Sequence, residues 1–587
     1  MRWKIDENRR RIASENFEGH CDDIEMSGEQ VSGVIAYGVQ DGETYYKRRF
    51  AFPNIRIQPN DTHGTYQTES SESPISFAEK EIFERVEWDG VLSVYAHAGE
   101  LKVIRRFFPS ATLPVFYERV ELYNGGTCAL APEWAMCRRL QSKLACEGYV
   151  YFDCICAMPC RSIAAGESVV LLFGYSARFA NKEIPQESDP LSKRRMRAEE
   201  LMSQCDVTTG NEIVDTMFAF AKLRAGESLF RTEKGLIHCP GGMAFYAAIW
   251  CNDQCEYVAP WFAFTGDGLQ AKAIENVFGW YDPYFNDEYR PIPSSIIGCG
   301  RDYWCGAGDR GDTGMYLYGL TRVLLTQGKQ PNVKQQKALR WCVEYIRRNI
   351  TEEGVVFSDS DELEDRISSG INLSTSALAY GGLANYAILL KRMQKGDAAR
   401  KITQMQTALG EAIENYFGGE VGGYHTYRYH KGCEVIRAWN SLPIYMGIAS
   451  RAEDTLKSID EKLWTSGSCR STENEKILWD RSALYYIMAL FRAGKTETAW
   501  EKLKEYSKTR LLGERVPYAV EAYPEGGMRQ LSGESGLYCR VFTDGLLNIR
   551  FDEKGYTVNG ILPKELNEIK ARNICLNGKN KTIRITR

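Results

Sequence analysis

Residues 480–508, with the sequence DRSALYYIMALFRAGKTETAWEKLKEYSK, decide the fold of the larger part of this chain. Apolar side chains recur every three to four residues over 480–493 and again over 495–508, and Gly494 separates the two runs. This spacing places the apolar side chains of each run on one face of a helix. The stretch therefore predicts two helices joined by a short turn, which together form a helical hairpin.

The same period of about 3.6 residues extends from 211 to about 545 and predicts twelve helices. We expect these helices near residues 211–229, 248–264, 268–280, 312–327, 333–349, 372–393, 396–416, 434–448, 451–461, 480–493, 495–508 and 533–544. Twelve helices joined by alternately long and short loops suit six hairpins closed into a toroid. We therefore predict that this part of the chain is an all-α (α/α)6 barrel.

The sequence before the helices has the period of β-strands. From about residue 30 to 180, short apolar runs alternate with polar turns, and Asp41-Gly42 and Asn124-Gly125 are typical hairpin turns. The runs that we expect to form strands are 31–39, 44–52, 90–96, 101–108, 115–123 and 168–176. The pattern predicts an N-terminal antiparallel β-sandwich.

A charged segment at 182–204 follows the last of these strands and predicts a helical linker. After Gly545 the pattern returns to strand-like runs, at 547–553, 556–563 and 581–587. The expected domains are a β-sandwich with the linker at its end over 1–205, a catalytic barrel over 206–545, and a small β element packed on the barrel over 546–587.

Composition excludes several classes of protein. The chain has 587 residues, 44% hydrophobic and 26% charged, which is ordinary for a globular protein of two or more domains. Its 73 basic and 77 acidic residues give a net charge of −4, so no nucleic-acid or membrane partner is expected. The most apolar stretch, 169–173, is far shorter than the ~20 residues of a membrane helix.

The sequence also indicates a compartment. The N-terminal residues lack the apolar core of an export signal, and 18 cysteines are too sparse in this length for a disulfide scaffold. We expect reduced thiols and a cytoplasmic protein; a periplasmic or secreted chain whose signal had been removed would have the same pattern. No CxxC pair recurs, so no metal or cofactor is predicted, and the sequence predicts no particular oligomeric state.

The segment 238–268, HCPGGMAFYAAIWCNDQCEYVAPWFAFTGDG, is the richest in candidate catalytic residues. Asp253 and Glu256 are three residues apart, which places both carboxylates on one face of the predicted helix, close to Trp250 and Tyr257. Two carboxylates packed beneath aromatic rings do not ionise together easily, so the pKa of one rises and suits it to donate a proton. The alternative is an exposed pair on a solvated helix face, which the apolar neighbours disfavour.

A second group of carboxylates lies in the segment 516–545, VPYAVEAYPEGGMRQLSGESGLYCRVFTDG. Glu521 and Glu525 lie in a loop rich in proline and glycine, and Glu534 is at the start of the last predicted helix. Carboxylates in a loop at the mouth of a barrel can hold a water molecule. The structural alternatives are that Glu534 interacts with the positive end of the helix dipole and that Glu525 lies in a solvated turn.

Two further loops contain candidate substrate-binding residues. The loop 298–316 contains Arg301, Asp302, Trp304, Asp309 and Asp312. The loop 423–432 contains His425, Tyr427 and Arg428. Asp312 is most simply a helix N-cap, and Trp250 and Trp304 lie beside polar loops where a sugar ring can stack on them.

Several familiar chemistries have no motif in this chain. It contains neither the G-x-x-x-x-G-K-[ST] phosphate loop nor the G-x-S-x-G nucleophile turn, and its glycine pairs do not follow the pattern of a dinucleotide site. What remains is a carboxylate site that uses no metal, in a helical toroid with an aromatic lining.

Four strings resemble the six-hairpin glycosidase superfamily, which includes glucoamylases, glycogen-debranching glucosidases and α-L-rhamnosidases. They are IWCNDQCEYVAPWFAFTGD at 249–267, GINLSTSALAYGGL at 370–383, WDRSALYYIMALFRAGKTETA at 479–499 and PEGGMRQLSGESGLYCRVFTDGL at 524–546. The resemblance spans most of residues 207–565 and implies an (α/α)6 barrel with a β-sandwich before it.

The resemblance also implies an activity, which is the hydrolysis of a terminal glycosidic bond with inversion. The debranching-type relatives carry their general acid at the position of Asp253, whereas the rhamnosidase pattern keeps Glu256 as a candidate. The partner carboxylate of the superfamily precedes the last barrel helix, where Glu521, Glu525 and Glu534 are the candidates. One departure is Asn252, which stands where the relatives usually have arginine.

Three alternatives remain at this point. Arg428, Arg437, Arg481 and Arg540 are compatible with a uronic acid, and so with a β-glucuronidase-like relative. A polysaccharide lyase on the same toroid would use Tyr427 or His425 as base and Arg428 to neutralise a uronate. A carbohydrate-binding protein without catalysis is the third alternative.

Overall fold

The structure is a computed structural model that describes residues 3–7, 9–15, 21–58, 64–134, 137–156, 162–243, 248–297, 300, 302–363, 367, 369–513, 517–524 and 530–587. Two of the predicted site residues, Arg301 and Glu525, lie outside the described residues.

The N-terminal part is the predicted antiparallel β-sandwich. In spatial order, the described strands of its larger sheet are Lys4–Ile5, Ile12–Ser14, Glu81–Trp88, Leu92–Ala98, Leu101–Pro109, Val115–Asn124, Ser168–Phe179, Gly148–Cys156 and Cys137–Ala145. Those of the smaller sheet are Cys21–Ser27, Ser32–Gln40, Glu43–Arg56 and Thr65–Ser70. Asp41 and Gly42 both have positive φ, 53° and 78°, as a two-residue hairpin turn requires. Phe50 of the smaller sheet packs against Phe116 of the larger at 5.3 Å, so aromatic rings fill the space between the sheets.

Ten of the twelve predicted barrel helices agree with the structure to within four residues at each end. The linker forms α1 (Pro190–Ser203). The barrel helices are α2 (Glu212–Glu227), α3 (Ala259–Thr265), α4 (Gly268–Trp280), α5 (Asp312–Gln327), α6 (Val333–Arg348), α7 (Leu373–Arg392), α8 (Gly396–Phe417), α9 (Leu442–Met446), α10 (Ala452–Lys462), α11 (Asp480–Arg492), α12 (Thr496–Leu512) and α13 (Ser532–Arg540). The hairpin at 480–508 is therefore confirmed, with α12 ending four residues later than predicted.

The barrel helices form two concentric rings. The helices α3, α5, α7, α9, α11 and α13 pack side by side in that order, and α13 packs against the π-helical turn Asp253–Val258 that precedes α3. This last contact closes the inner ring, while the even-numbered helices return along the outside. The fold is the predicted (α/α)6 barrel. Because each inner helix is followed by an outer one, all the inner helices have their N-termini at the same end.

Two predicted helices begin later than expected. The segment predicted as helix 248–264 starts with a strand, Ala248–Trp250, which pairs with Ser295–Ile297 before the π-helical turn and α3 begin. In the segment 434–448, Arg437 is extended and bridges to Thr472, and the helical part is only the turn Ala438–Ser441 and α9. In both places a pairing with a distant segment of the chain overrides the local apolar pattern.

Strands complete the barrel region and the C-terminus. Asp206–Thr208 pairs with Glu568–Leu576, which pairs with Lys579–Thr586, and Ile549–Phe551 pairs with Tyr556–Val558. The predicted C-terminal β element is therefore confirmed. The short ribbons on the barrel are Leu229–Thr232 with Gly235–His238, Gly418–Val421 with Tyr424–Tyr427, Trp464–Thr465 with Ser468–Cys469, and Leu478–Trp479 with Ala522–Tyr523. Among the described helices, none combines the length and the apolar composition that crossing a membrane requires.

Candidate active site

The candidate site lies at the end of the barrel where the inner helices have their N-termini. There Arg481, in the first turn of α11, donates from Nε to Glu534 Oε1, in the first turn of α13, at 3.0 Å. Both side chains are buried. Glu521 is the second carboxylate near this guanidinium, with Oε1 3.8 Å from Nη2. Arg481 thus brings together two of the predicted carboxylates.

Two contacts fix the loop that carries Glu521. Its neighbours Ala522 and Tyr523 pair with the strand Leu478–Trp479, immediately before Arg481 in the chain. The main-chain N–H of Val520 donates to Asp480 Oδ2 at 2.8 Å. The side chain of Glu521 keeps 18% of its surface exposed. A water molecule can therefore reach this carboxylate.

Asp253 is the first residue of the π-helical turn and is only 5% exposed. Its Oδ1 lies so close to Gly533 that a Cβ at that position would be 2.2 Å away. Among the described residues this oxygen has no hydrogen-bond partner. Burial raises the pKa of Asp253 to about 6, with Glu521 adding to the shift and Arg481 opposing it. The Asp253 carboxyl therefore stays largely protonated until the pH rises to about 6.

Glu534 is more deeply buried than Asp253. Burial raises the pKa of Glu534 to about 8, although the guanidinium of Arg481 opposes the shift, and Asp253 and Glu521 add to it. Its Oε2 has no hydrogen-bond partner in the described part of the chain. Asp253, Glu521 and Glu534 thus form a single cluster that interacts electrostatically.

Glu256 lies in a different environment from Asp253. Its side chain is fully buried, Oε2 accepts a hydrogen bond from Tyr485, and its main-chain oxygen accepts one from Arg540. Burial, and then Glu362, raises its pKa well above the ordinary value. The predicted shared face for Asp253 and Glu256 assumed an α-helix. In the π-helical turn, whose hydrogen bonds span one residue more, the hydrogen bonds of Glu256 lead to α11 and α13 and not to Asp253.

Glu362 is a carboxylate of this cluster that the sequence analysis missed. It lies in the loop between α6 and α7, is 6% exposed, and accepts a hydrogen bond from Tyr257 at 2.7 Å. Burial raises its pKa, and its Oε1 has no partner among the residues that the structure describes. The sequence held one signal for it, because five of the eight residues at 358–365 are acidic and lie seven residues before the inner helix α7.

Arg310 is the second buried cation of the site. Its Nη2 lies 3.2 Å from Asn252 Oδ1 and 3.3 Å from Asp312 Oδ1, and its Cζ lies 5.5 Å from the centre of the Trp250 ring. A guanidinium therefore lies next to Asn252, the position at which the resemblance leads us to expect an arginine. The interpretation of Asp312 as a helix N-cap was wrong, since Gly311 is the N-cap and the Asp312 carboxylate pairs with Arg310.

The predicted aromatic pair lies beside this cation. The rings of Trp250 and Trp304 are 5.3 Å apart at their centres and inclined by 55°, and both side chains remain partly exposed. Tyr257 is fully buried and holds Glu362. Trp250 and Trp304 therefore present ring surface near the cluster, whereas Tyr257 does not.

The predicted residues of the loop 423–432 contact other parts of the barrel. Tyr427 donates to Glu414 at 2.6 Å, Arg428 donates to the main-chain oxygen of Glu420 at 3.3 Å, and His425 contacts Arg451. None of these partners belongs to the carboxylate cluster. From the same loop it is Tyr429 that points inwards, where it donates to Asp361 beside Glu362.

No protein-family model and no curated protein matches this chain. Solved structures do match. A chain from the human microbiome assigned as a kojibiose phosphorylase has a TM-score of 0.58 and 8% identity, over 100% of this chain and 95% of its own. A bacterial glucoamylase complexed with acarbose has a TM-score of 0.50 and 11% identity, over 89% of this chain and 95% of its own. A sialidase has a TM-score of 0.51 and 11% identity, over 95% of this chain and 58% of its own.

At these identities the likeness is one of fold. The chain has the six-hairpin glycosidase fold, a β-sandwich followed by an (α/α)6 barrel, as its sequence predicted. The neighbours include a glucoamylase and a chain assigned as a phosphorylase, which are carbohydrate-acting enzymes of two kinds, a hydrolase and a phosphorylase.

Proposed function

We propose that this protein is an exo-acting, inverting glycoside hydrolase that removes a terminal neutral sugar from an oligosaccharide or glycan. Asp253 is the general acid and Glu521 is the base that activates water. The observation that carries the proposal is the buried Asp253 carboxyl, whose Oδ1 has no partner in the described structure, in one cluster with the more exposed Glu521.

Asp253 fits the acid better than its two competitors. A general acid needs a raised pKa and an oxygen from which it can donate to the leaving group; Asp253, Glu256 and Glu534 all meet these two conditions, but only Asp253 keeps some exposure, 5%. Glu256 is fully buried and bound by Tyr485. Glu534 is fully buried and its Oε1 is bound by Arg481, so we assign it to positioning that guanidinium.

Glu521 fits the base because it is exposed enough to hold water. Inversion requires room for that water between the two carboxyl groups, which corresponds to a separation of about 6.5–9.5 Å. The partly exposed rings of Trp250 and Trp304 would stack on the sugar, and Glu362 would accept hydrogen bonds from its hydroxyl groups.

The charges of the site favour water over phosphate as the attacking group. Side chains recognise phosphate mainly through arginine and lysine. In the described part of the site the carboxylates of Asp253, Glu362, Glu521 and Glu534 surround Arg481, which is already bound to Glu534, and the second cation, Arg310, is paired with Asp312. The same excess of carboxylates disfavours a uronic acid, and therefore the β-glucuronidase-like alternative.

The lyase alternative has little support. Its base would be Tyr427, whose hydroxyl donates to Glu414, or His425, which contacts Arg451. Its arginine would be Arg428, which donates to the main chain of Glu420. A protein that only binds carbohydrate would have no need for a buried acid whose pKa is raised to about 6.

The test is a screen of nitrophenyl glycosides, neutral and uronic, with the wild type and the variants Asp253→Asn, Glu521→Gln, Glu525→Gln and Glu256→Gln. We expect release from one neutral glycoside and a loss of at least ~10²-fold in Asp253→Asn and Glu521→Gln, because acid and base catalysis each contribute about that much. Asp397→Asn, on the exposed face of α8, is the matched control and should keep full activity. NMR of the first product identifies the anomer.

The outcomes separate the alternatives. Loss in Glu525→Gln with activity kept in Glu521→Gln would move the base to Glu525. Activity that depends on added phosphate would make the protein a phosphorylase. An unsaturated product from a uronate polymer would make it a lyase, and wild-type behaviour of Asp253→Asn would refute the proposed acid.

A further inference from the structure

A second cavity lies at the opposite end of the barrel from the carboxylate cluster. It has a volume of about 220 Å³. The lining residues that matter here are Tyr318, Arg322, Asn385, Arg492, Arg550 and Phe551. Of these, Arg322, Asn385 and Arg492 lie in the C-terminal halves of inner helices, whereas the candidate active site uses the N-termini. Arg481 and Arg492 are in the same helix, α11, and their separation of eleven residues corresponds to about 16 Å along the axis.

The cavity carries more positive than negative charge. Arg322, Arg492 and Arg550 line it, and the carboxylate beside it is Asp544. Asp544 is shared, because it accepts from Arg322 at 2.6 Å and also from Arg540 at 3.0 Å. Burial alone would raise the pKa of Asp544, but Arg322 and Arg540 hold it well below its ordinary value. One carboxylate thus interacts with three guanidinium groups, those of Arg322, Arg540 and Arg550.

Several donors at this cavity have no partner. The Nε atoms of Arg322 and Arg550 are buried and form no hydrogen bond within the described residues. Arg492 is exposed at the mouth of the cavity, and its nearby charges are other arginines. Burial, together with Arg492 and Arg322, lowers the pKa of Arg550 to about 10, as expected where cations repel one another.

Arginines at the C-terminal ends of helices can also serve to bind the last carbonyl groups. Arg392 does so here, since it donates to the main-chain oxygens of Leu325 at 3.1 Å and of Asp552 at 2.8 Å. Arg322 donates to the main-chain oxygen of Ile549, and Arg550 donates to that of Asp544. The Nε atom of each nevertheless has no hydrogen-bond partner within the described residues. Capping therefore accounts for only part of this arginine cluster.

We propose that this cavity is a binding site for a tetrahedral phosphate dianion, either inorganic phosphate or the phosphate group of a small phosphorylated sugar. A dianion matches the surplus of positive charge, and guanidinium groups bind phosphate oxygens through paired hydrogen bonds. The volume admits a phosphate group with a small organic moiety, for which Tyr318 and Phe551 offer aromatic surface. This inference is independent of the proposed hydrolase activity.

The site is connected to the candidate active site by buried contacts. Arg540 binds Asp544, donates to Tyr318 at 2.6 Å, and also donates to the main-chain oxygen of Glu256. The ring of Tyr445, which donates to Asp544 at 2.9 Å, lies 5.7 Å from that of Tyr485. A bound anion would thus stabilise the residues that hold the π-helical turn of Asp253.

Calorimetric titration of the full chain with inorganic phosphate and with glucose 6-phosphate, at constant ionic strength, tests the proposal; glucose is the uncharged control. We expect binding of at least one of the two phosphates and a Kd at least ~10-fold higher in Arg492→Gln, which is one hydrogen-bonded charge lost. Arg492 is exposed and makes no hydrogen bond in the described structure, so this variant should fold. Arg347→Gln, on the outer helix α6, is the matched control.

Tighter binding of glucose 6-phosphate than of phosphate supports the phosphorylated sugar, and equal binding supports phosphate itself. The proposal is overturned if neither binds at concentrations up to about 10 mM. It is also overturned if Arg492→Gln binds like the wild type, or if Asp253→Asn abolishes binding while Arg492→Gln does not, because the anion would then occupy the active site.

Discussion

Asp253 is an aspartic acid whose pKa rises from 3.8 to about 6 because its side chain is buried. The position of the side chain depends on Gly533, the residue next to Glu534, since any larger residue there would meet Asp253 Oδ1. The carboxyl group of Asp253 and the start of α13, which contains Gly533, therefore lie within a few ångströms of each other.

The raised pKa of Asp253 should make the activity depend on pH. If Asp253 is the acid, kcat/KM must fall as pH rises through about 6, since the proton needed for the leaving group is then lost. Asp253→Asn should lose this decline when assayed with a dinitrophenyl glycoside, whose leaving group needs no proton, and should lose far less activity on it than on an alkyl glycoside. A decline that persists unchanged in Asp253→Asn would assign the titration to another group.

Gly533 should not tolerate a larger side chain. In Gly533→Ala the new methyl group would lie 2.2 Å from Asp253 Oδ1, so the carboxyl must move. We expect kcat to fall at least ~10-fold, with destabilisation of about 1–3 kcal/mol, as for other overpacked sites. Gly268→Ala, at the start of α4 with nothing within 4 Å of its Cβ position, is the control and should leave kcat unchanged. Full activity of Gly533→Ala would contradict the proposed position of the acid.

At the scale of elements, the strand Gly235–His238 joins the two catalytic segments. His238 contacts Gln254, next to Asp253, at 3.0 Å through Nδ1, and Ser532, next to Gly533, at 2.9 Å through Nε2. The ring is buried and its pKa falls from 6.5 to about 3 because of that burial, so it stays neutral in the folded protein. A neutral imidazole thus bridges the segments without adding charge.

This depressed pKa gives a prediction for stability. As pH falls below 6.5 the unfolded chain takes up a proton at His238 that the folded chain does not, so the free energy of unfolding decreases between pH 6.5 and about 3. The slope contributed by one such group is at most about 1.4 kcal/mol per pH unit. Thermal melts of His238→Gln should show a weaker dependence of Tm on pH than the wild type. Parallel curves for both proteins would show that His238 does not titrate in this way.

Some helices and strands could be predicted from the sequence alone, and others could not. The bounds of α4 and α5 were predicted to the residue, since their apolar faces are set by local spacing. Glu362 was missed because it lies in a loop whose position depends on packing between distant helices. The predicted residue His425 lies in the strand Tyr424–Tyr427 and contacts Arg451, a pairing that the local sequence does not indicate. The strand Ala248–Trp250 was taken for helix because its partner, Ser295–Ile297, is some fifty residues away along the chain.

At the scale of the whole molecule, the β-sandwich holds the catalytic segments in place. Glu25, in the strand Cys21–Ser27, accepts from Arg224 of α2 at 2.8 Å and from the main-chain N–H of Gly242 at 3.0 Å. Its own N–H donates to the side chain of Gln530 at 2.9 Å. Gly242 precedes the segment of Asp253, and Gln530 precedes α13. One strand of the sandwich therefore contacts both sides of the active site.

We therefore expect Glu25→Gln to impair catalysis from outside the carboxylate cluster. The change keeps the size of the side chain but removes the negative charge that pairs with Arg224, which also pairs with Glu227 at 3.0 Å. Loss of one partner of a buried ion pair costs about 3–5 kcal/mol. We expect a lower Tm and a kcat reduced by about 10-fold with a smaller change in KM, because the loops that hold Asp253 and Glu534 lose their anchor. Glu43→Gln, exposed in the same sheet, is the control. A lower Tm with unchanged kcat would mean that the sandwich stabilises the barrel without positioning its active site.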